Sequence, residues 1–334
     1  MSGWRAGARN LISDVPGISV GHAYDDALRS GATAVIFDRP AVASVAILGG
    51  APGTRETALL EPENTVQAID ALVLSGGSAF GLDAGAGVMA LLAEQGRGFE
   101  VAGARVPIVP AAILFDLANG GDKAWGRFPP YRDMGYAAAA GAARDFAIGS
   151  VGAGAGCTTA TVRGGLGSAS TVLASGITVA ALVAVNAVGS PLVGSTRHFW
   201  AAPFEIEGEF GGLGLPSPWP ADGADMRTKL DARPGGNTTI GIVATDARLD
   251  KAGARRLAVA AHDGFARALW PVHTDLDGDL VFGVATGGSD AILDPRQRAE
   301  LGAAAAATMA RAIARGIFAA TSARADTMRS WRDL

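Results

Sequence analysis

The chain has 334 residues, of which 49% are apolar and 18% charged, so it can build a sizeable core and is not an intrinsically disordered sequence. A formal charge of −4 offers no basic surface for nucleic acid or an acidic membrane. The single cysteine, Cys157, excludes an internal disulfide framework, and the four histidines have no metal-ligand spacing.

The first 23 residues carry arginines without a continuous apolar run, so no secretory signal is expected, and a cytoplasmic protein is. Short β-branched runs predict strands at 33–38, 44–48 and 71–74. A helix is predicted over 80–94, where Leu82, Val88, Leu91 and Leu92 fall near helical spacing, and a second over the alanine-rich 134–144. No charge occurs between Arg163 and Arg197, but Ser168, Ser170, Thr171, Ser175, Thr178 and Asn186 lie inside that span and Gly176 breaks it. Two buried strands, within 165–173 and 177–188, suit it better than a membrane crossing. Residues 204–237 are about a third Gly and Pro, which reads as a long loop, functional or mobile. A strand over 238–247 follows. Then come a helix over 250–270 with Leu257, Ala261, Phe265 and Leu269 on one stripe, a strand over 280–285 and a helix over 297–320. Strands and helices on both sides of the loop predict one layered α/β or α+β domain.

Several motifs fall short of the chemistry they suggest. Gly152, Gly154 and Gly156 form half of a dinucleotide fingerprint, but no acidic residue lies between Asp145 and Glu205 to bind a ribose. The only lysines, Lys123, Lys229 and Lys251, form no phosphate loop. Gly76-Gly77-Ser78-Ala79-Phe80-Gly81 is one place out of register with a serine-hydrolase elbow; it reads as a strand-to-helix turn with Ser78 near the cap, or as a substrate-facing loop. Asp275-Leu276-Asp277-Gly278-Asp279 opens like a calcium loop, but Leu280 and Thr286 hold the places of its Gly and Glu, so a hairpin turn is the plainer reading.

The remaining signal is Pro234-Gly235-Gly236-Asn237 running into Thr238-Thr239 and a strand. Were the bond before Thr238 cut, that residue would carry a nucleophilic hydroxyl and its own base, an α-amine with a reference pKa near 8. Alone, such a short motif also fits a polar strand start. The wider sequence resembles the L-aminopeptidase D-amidase/esterase (DmpA) family, which includes β-aminopeptidases and nylon-oligomer (6-aminohexanoate) hydrolases. The resemblance is carried by 10-NLISDVPGISVGHA-23, 52-PGTRETALL-60, 71-ALVLSGGSAFGLDAGAGVM-89, 106-VPIVPAAILFDL-117, 163-RGGLGSASTVL-173, 180-AALVAVNAVG-189, 237-NTTIGIVATDA-247 and 273-HTDLDGDLVFGVATG-287.

That resemblance implies an αββα sandwich of the DmpA/ornithine acetyltransferase type and a chain that cuts itself between Asn237 and Thr238. The pieces would be 1–237, ending in a mobile loop over 203–237, and 238–334. By resemblance Thr238 is the nucleophile, Asp277 and Asp279 orient it, and Asn186 serves the oxyanion. Gly76, Gly77, Ser78 and Phe115 face substrate; Phe115 stands near the place of a tyrosine in aminopeptidase relatives. The nylon-hydrolase lysine has no clear counterpart, since the segment 157-CTTATVRGGLG-167 offers only Arg163, which cannot act as a base. The implied protein is an amide hydrolase for short aminoacyl amides, peptides or ω-amino-acid oligomers. It would use no metal or organic cofactor, and would assemble as a homo-oligomer, by resemblance a tetramer. Two readings compete: an acyltransferase of the ornithine acetyltransferase type, whose Lys-Thr-Met motif is absent, and a non-catalytic protein that kept the fold.

Overall fold

Three separate apolar clusters, rather than one, organise the computed structural model, which describes residues 3–231, 236–322 and 328–334. Three interfaces are what four stacked layers require. The elements in chain order are β1 (Ile18–Asp25), β2 (Ser30–Ile47), β3 (Gly53–Arg55), β4 (Ala68–Ser75), α1 (Asp83–Glu94), β5 (Phe99–Val101), β6 (Ala104–Val106), β7 (Ala111–Ile113) and α2 (Tyr131–Ala140). After these come β8 (Gly165–Val172), β9 (Thr178–Asn186), β10 (Thr238–Thr245), α3 (Lys251–Ala266), β11 (Leu280–Ala285) and α4 (Pro295–Ala319).

Alternation along the strands separates the interfaces. On β9, Val179, Ala181, Val183 and Val185 pack toward α3 and α4, while Ala180, Leu182 and Ala184 face the inter-sheet core. Ile240, Ile242 and Ala244 of β10 and Leu280, Phe282 and Val284 of β11 fill that same middle layer. Across it stand Val35 and Phe37 of β2 and Leu72 and Leu74 of β4, whose other faces, through Ala32, Ala34, Ala71 and Val73, meet α1 and α2. Strands buried on both faces read as continuous apolar runs, which is why their positions are visible in the sequence. The architecture is therefore the expected αββα sandwich.

The strand order is β3-β7-β4-β2-β11-β10-β9-β8, with β1 also on β2. The two strands expected at 33–38 and 44–48 are one element. The first half of β2 pairs with β1 and β4, and its second half pairs with β11, across an irregularity between Ile36 and Ala41. Pro40, which has no N–H to donate, lies inside that interruption. The first helices pack closely because Gly135 lets them: a Cβ there would lie 2.0 Å from the Ala84 carbonyl oxygen.

Helix α3 begins at the Asp250 cap, whose carboxylate accepts from Gly253 N at 2.7 Å, and buries Leu257, Ala261 and Phe265. It ends at Ala266, short of the expected Trp270, because Trp270 is drawn into a backbone bridge with Ser190. Helix α4 carries a reciprocal cap between Asp294 and Gln297 and is buried on most sides from Ala304 to Ile317.

Residues 204–230, expected as an open loop, are a series of pinned turns. Phe210 is buried edge-on to Phe199, and Glu209 is held by Arg311, which is 1% exposed. Arg311 also donates to Ser170 O at 2.8 Å, Thr171 Oγ1 at 2.9 Å and Asn10 Oδ1 at 2.9 Å. Gly and Pro exclude regular ladders here, but one buried ion pair and one aromatic ring fix the path. Residues 232–235, including Pro234 and Gly235 of the expected turn, lie outside the described residues. Arg311→Leu would leave Glu209 without its main partner and is expected to destabilise the fold by about 3–5 kcal/mol, read as a lowered midpoint in urea.

Candidate active site

The strand pattern sets the site. Thr238, first residue of β10, lies directly opposite Asn186, last residue of β9, in antiparallel register. Opposed residues in such a pair project to the same face, here the inter-sheet face marked by Ile240 and Ala184. Thr238 is 4% exposed and Asn186 2%. Thr239, one residue on, belongs to the opposite face, toward the helices.

Asn237 forms a parallel bridge with Asp277, so the 274–279 segment runs alongside the bond before Thr238. The Thr238 hydroxyl donates to the Asn237 carbonyl oxygen, and Gly278 N donates to that same oxygen at 3.1 Å. A side chain at 278 is excluded, because a Cβ would sit 2.8 Å from both Thr238 Oγ1 and Ala51 O. Leu48 N and Gly49 N both donate to Asp279 O at 3.0 Å and Ala51 N donates to Asp277 O at 2.8 Å, clamping the segment from its other side.

The two aspartates have different partners. Asp277 Oδ2 accepts from Thr274 N at 3.0 Å and Thr274 Oγ1 at 2.7 Å. Its Oδ1 is buried and makes no well-formed hydrogen bond among the described residues. Burial first, and the Asp279 charge second, hold the Asp277 carboxyl above its ordinary pKa. Asp279 reaches the backbone behind the threonine: Oδ1 accepts from Thr239 N at 2.7 Å, and Oδ2 from His273 N at 3.1 Å. The sequence places the aspartates two residues apart but does not show that only Asp277 lies beside Asn237.

The Asn186 amide is held at both ends. Nδ2 donates to Phe115 O at 2.8 Å; Oδ1 accepts from Thr158 N at 3.0 Å and Lys229 Nζ at 3.0 Å. Phe115 thus contributes its backbone, and its ring borders Gly236, where a Cβ would lie 2.6 Å from Phe115 Cβ. Gly76, Gly77 and Ser78 stand on the far flank of that segment. Gly77 N donates to Asp116 Oδ1 at 2.8 Å and Ser78 N to Leu114 O at 2.9 Å, and none of these bonds reaches Asn186 or Thr238. Ser78 opens a 3-10 turn without a side-chain cap.

No lysine is expected from 157–167 at the place of the nylon-hydrolase lysine, but one from elsewhere in the chain, Lys229, reaches Asn186. Lys229 also donates to Asn186 O at 3.0 Å and Thr158 Oγ1 at 3.3 Å, and Lys229 N donates to Val188 O at 2.9 Å. Desolvation pulls its pKa down to about 7 against the raising effects of Cys157, Asp277 and Asp279. Arg163, the residue offered in its place, donates through Nη2 to Ala155 O at 2.6 Å. Lys229 comes from the segment before the Asn237–Thr238 bond, so chain order hides it, although its loneliness as one of three lysines was a usable signal.

No group of three or more His, Cys, Asp or Glu able to hold a metal occurs among the described residues, and no described helix is long and apolar enough to cross a membrane.

The profile of peptidase family S58 matches residues 10–330, and the chain belongs to that family; it is a hydrolase with peptidase/amidase character. It is 44% identical over 328 residues to an uncharacterized aminopeptidase of Mycobacterium tuberculosis, covering 92% of this chain and 94% of that one. It is 27% identical over 301 residues to a 6-aminohexanoate-oligomer endohydrolase of Kocuria sp., covering 84% and 76%. Among solved structures, a Burkholderia sp. beta-aminopeptidase superposes with a TM-score of 0.72 at 23% identity, over 99% of this chain and 92% of that one. An L-aminopeptidase D-Ala-esterase/amidase from Ochrobactrum anthropi, titled a variant of the Ntn hydrolase fold, gives 0.71 at 20% identity, over 98% and 91%. These two likenesses support the layered fold.

Proposed function

We propose that the chain cuts itself between Asn237 and Thr238 and then hydrolyses short amides through an ester on Thr238 Oγ1. The observation that carries this is the Asn237 carbonyl, met by the adjacent hydroxyl and by the Gly278 N–H. Attack of Oγ1 on that carbon would release the hydroxyl's own bond and develop negative charge on the oxygen that still accepts from Gly278 N. The C–N bond then breaks and the Thr238 nitrogen leaves as an amine, taking the proton. Water cleaves the resulting ester, giving an Asn237 carboxylate and a free Thr238 α-amine. In each later cycle that amine takes the hydroxyl proton, the substrate acyl group is transferred to Oγ1, and the departing amine receives the proton.

Both esters form on one oxygen, so a substrate acyl group takes the seat that Asn237 leaves. The Asn237 side chain is buried with both polar atoms unpartnered among the described residues, and its backbone bridges Asp277. Burying polar atoms without partners is costly, and cleavage relieves it. A seat near the Asp277 carboxyl suits an acyl group bearing an amino function. That favours aminoacyl amides, small peptides and ω-amino-acid oligomers, in line with the names of the relatives.

Intact-mass and N-terminal sequencing of the purified protein are expected to show chains of 237 and 97 residues, the second starting Thr238-Thr239-Ile240. Turnover of aminoacyl p-nitroanilides or aminohexanoate oligomers should accompany them. Active material with an uncut chain would remove this reading.

A further inference from the structure

Behind the nucleophile strand, on the helix side of the sheet, lies a row of polar groups that the proposed reaction does not use. The Ala46 carbonyl of β2 lies 3.0 Å from Nε2 of His262 on α3. His262 Nδ1 lies 3.2 Å from His273 Nε2, and His273 Nδ1 lies 2.9 Å from Asp279 Oδ2. Asp279 Oδ1 then receives Thr239 N. His262 is 3% exposed, and Phe265 stacks on the His273 ring at 5.5 Å.

The protons in this row follow from what each partner can do. A carbonyl only accepts, so His262 Nε2 carries hydrogen. Burial keeps His262 neutral, with its pKa lowered to about 4, so its Nδ1 is bare and must accept from His273 Nε2–H. His273 then has hydrogen on Nε2. Were its Nδ1 also bare, its lone pair would face a carboxylate lone pair at 2.9 Å, which is repulsive.

We infer that the carbonyl-anchored row forces one proton to reside between His273 Nδ1 and Asp279 Oδ2, so that this pair carries no net charge and the repulsion of Asp279 on Asp277, beside the Asn237–Thr238 bond, is offset. Whether the proton sits on nitrogen or oxygen, the charge of the pair is the same. Without it, two ionised carboxylates would be separated by Gly278 alone. The charged or titratable groups facing the row are Asp263 on α3, Asp277 and Asp279 on the 274–279 segment, and Lys229 across the sheet end. His262 and His273 are thus positioning residues, which act through Asp279 and Asp277.

The protonation pattern stands apart from the proposed function; its effect on rate rests on that reading, and the two are tested separately. Histidine 15N spectra of the full chain, native and Thr238→Ala, read the tautomers directly. Expected near neutral pH are a protonated Nε2 and bare Nδ1 on His262, and a protonated Nε2 on His273. A bare His273 Nε2, or a protonated His262 Nδ1 there, overturns the inference whether or not the protein turns over any amide. The second experiment is the pH profile of kcat/KM. His273→Asn keeps a donor for Asp279 and suits the positive φ of 57° at this position, but carries no charge. It is expected to move the acid limb upward by about one unit or more, as an uncompensated Asp279 charge holds protons on Asp277 and on the Thr238 amine that must be free to act as base. His262→Phe should move it the same way. His262→Gln, which keeps a donor for Ala46 and an acceptor for His273, should bring it back. An acid limb unmoved in His273→Asn overturns the charge coupling.

Discussion

Thr238→Ala is expected to leave a single uncut chain and to lower amide hydrolysis by at least about four orders of magnitude, since nucleophile removal in enzymes of this logic costs that much or more. The size follows from one oxygen serving twice in the proposed reaction, attacking Asn237 once and substrate thereafter. Electrophoresis under denaturing conditions and p-nitroanilide turnover check both halves. Thr238→Ser should still be cut, because the hydroxyl remains. Processing that continues in Thr238→Ala would shift attention to Thr239, but that hydroxyl belongs to the helix-facing side of the strand, away from the Asn186 amide.

The second large effect is expected at Lys229. Lys229→Met removes the charged donor to Asn186 Oδ1 and Asn186 O, leaving the amide opposite Thr238 held by Thr158 N and Phe115 O alone. Turnover should fall by about 10²-fold, the scale on which single donors in such sites act. Lys229→Arg is not expected to restore it, because a planar guanidinium does not replace a compact ammonium that can lose its proton. Stability provides an independent readout. The folded pKa of about 7 lies below the ordinary 10.5, so between those values the unfolded chain binds more protons and stability rises with pH. In a Thr238→Ala background, the thermal midpoint should therefore climb from pH 7 toward pH 10 more steeply with Lys229 than with methionine. Parallel curves would show that the ammonium is not desolvated.

The sequence by itself determined the layers and one end of the site. β9, β10 and β11 are buried on both faces, so their apolar runs are continuous and their positions legible; the Asn237-Thr238-Thr239 start of β10 is legible for the same reason. β1, half-exposed and interrupted by Gly21 and His22, gave no such run, and the union of two expected strands into β2 depends on a mid-strand irregularity that only partners on both sides can hold. Tertiary structure alone decided three things: that Lys229 reaches Asn186, that Asp277 and Asp279 take different partners, and that His262 and His273 line up behind Thr239. Each depends on distance between segments far apart in the chain, and residue type and spacing carry no information about that distance. Strand alternation fixes the face on which Thr238 points; packing of α3 and of the 204–231 segment fixes what meets it there.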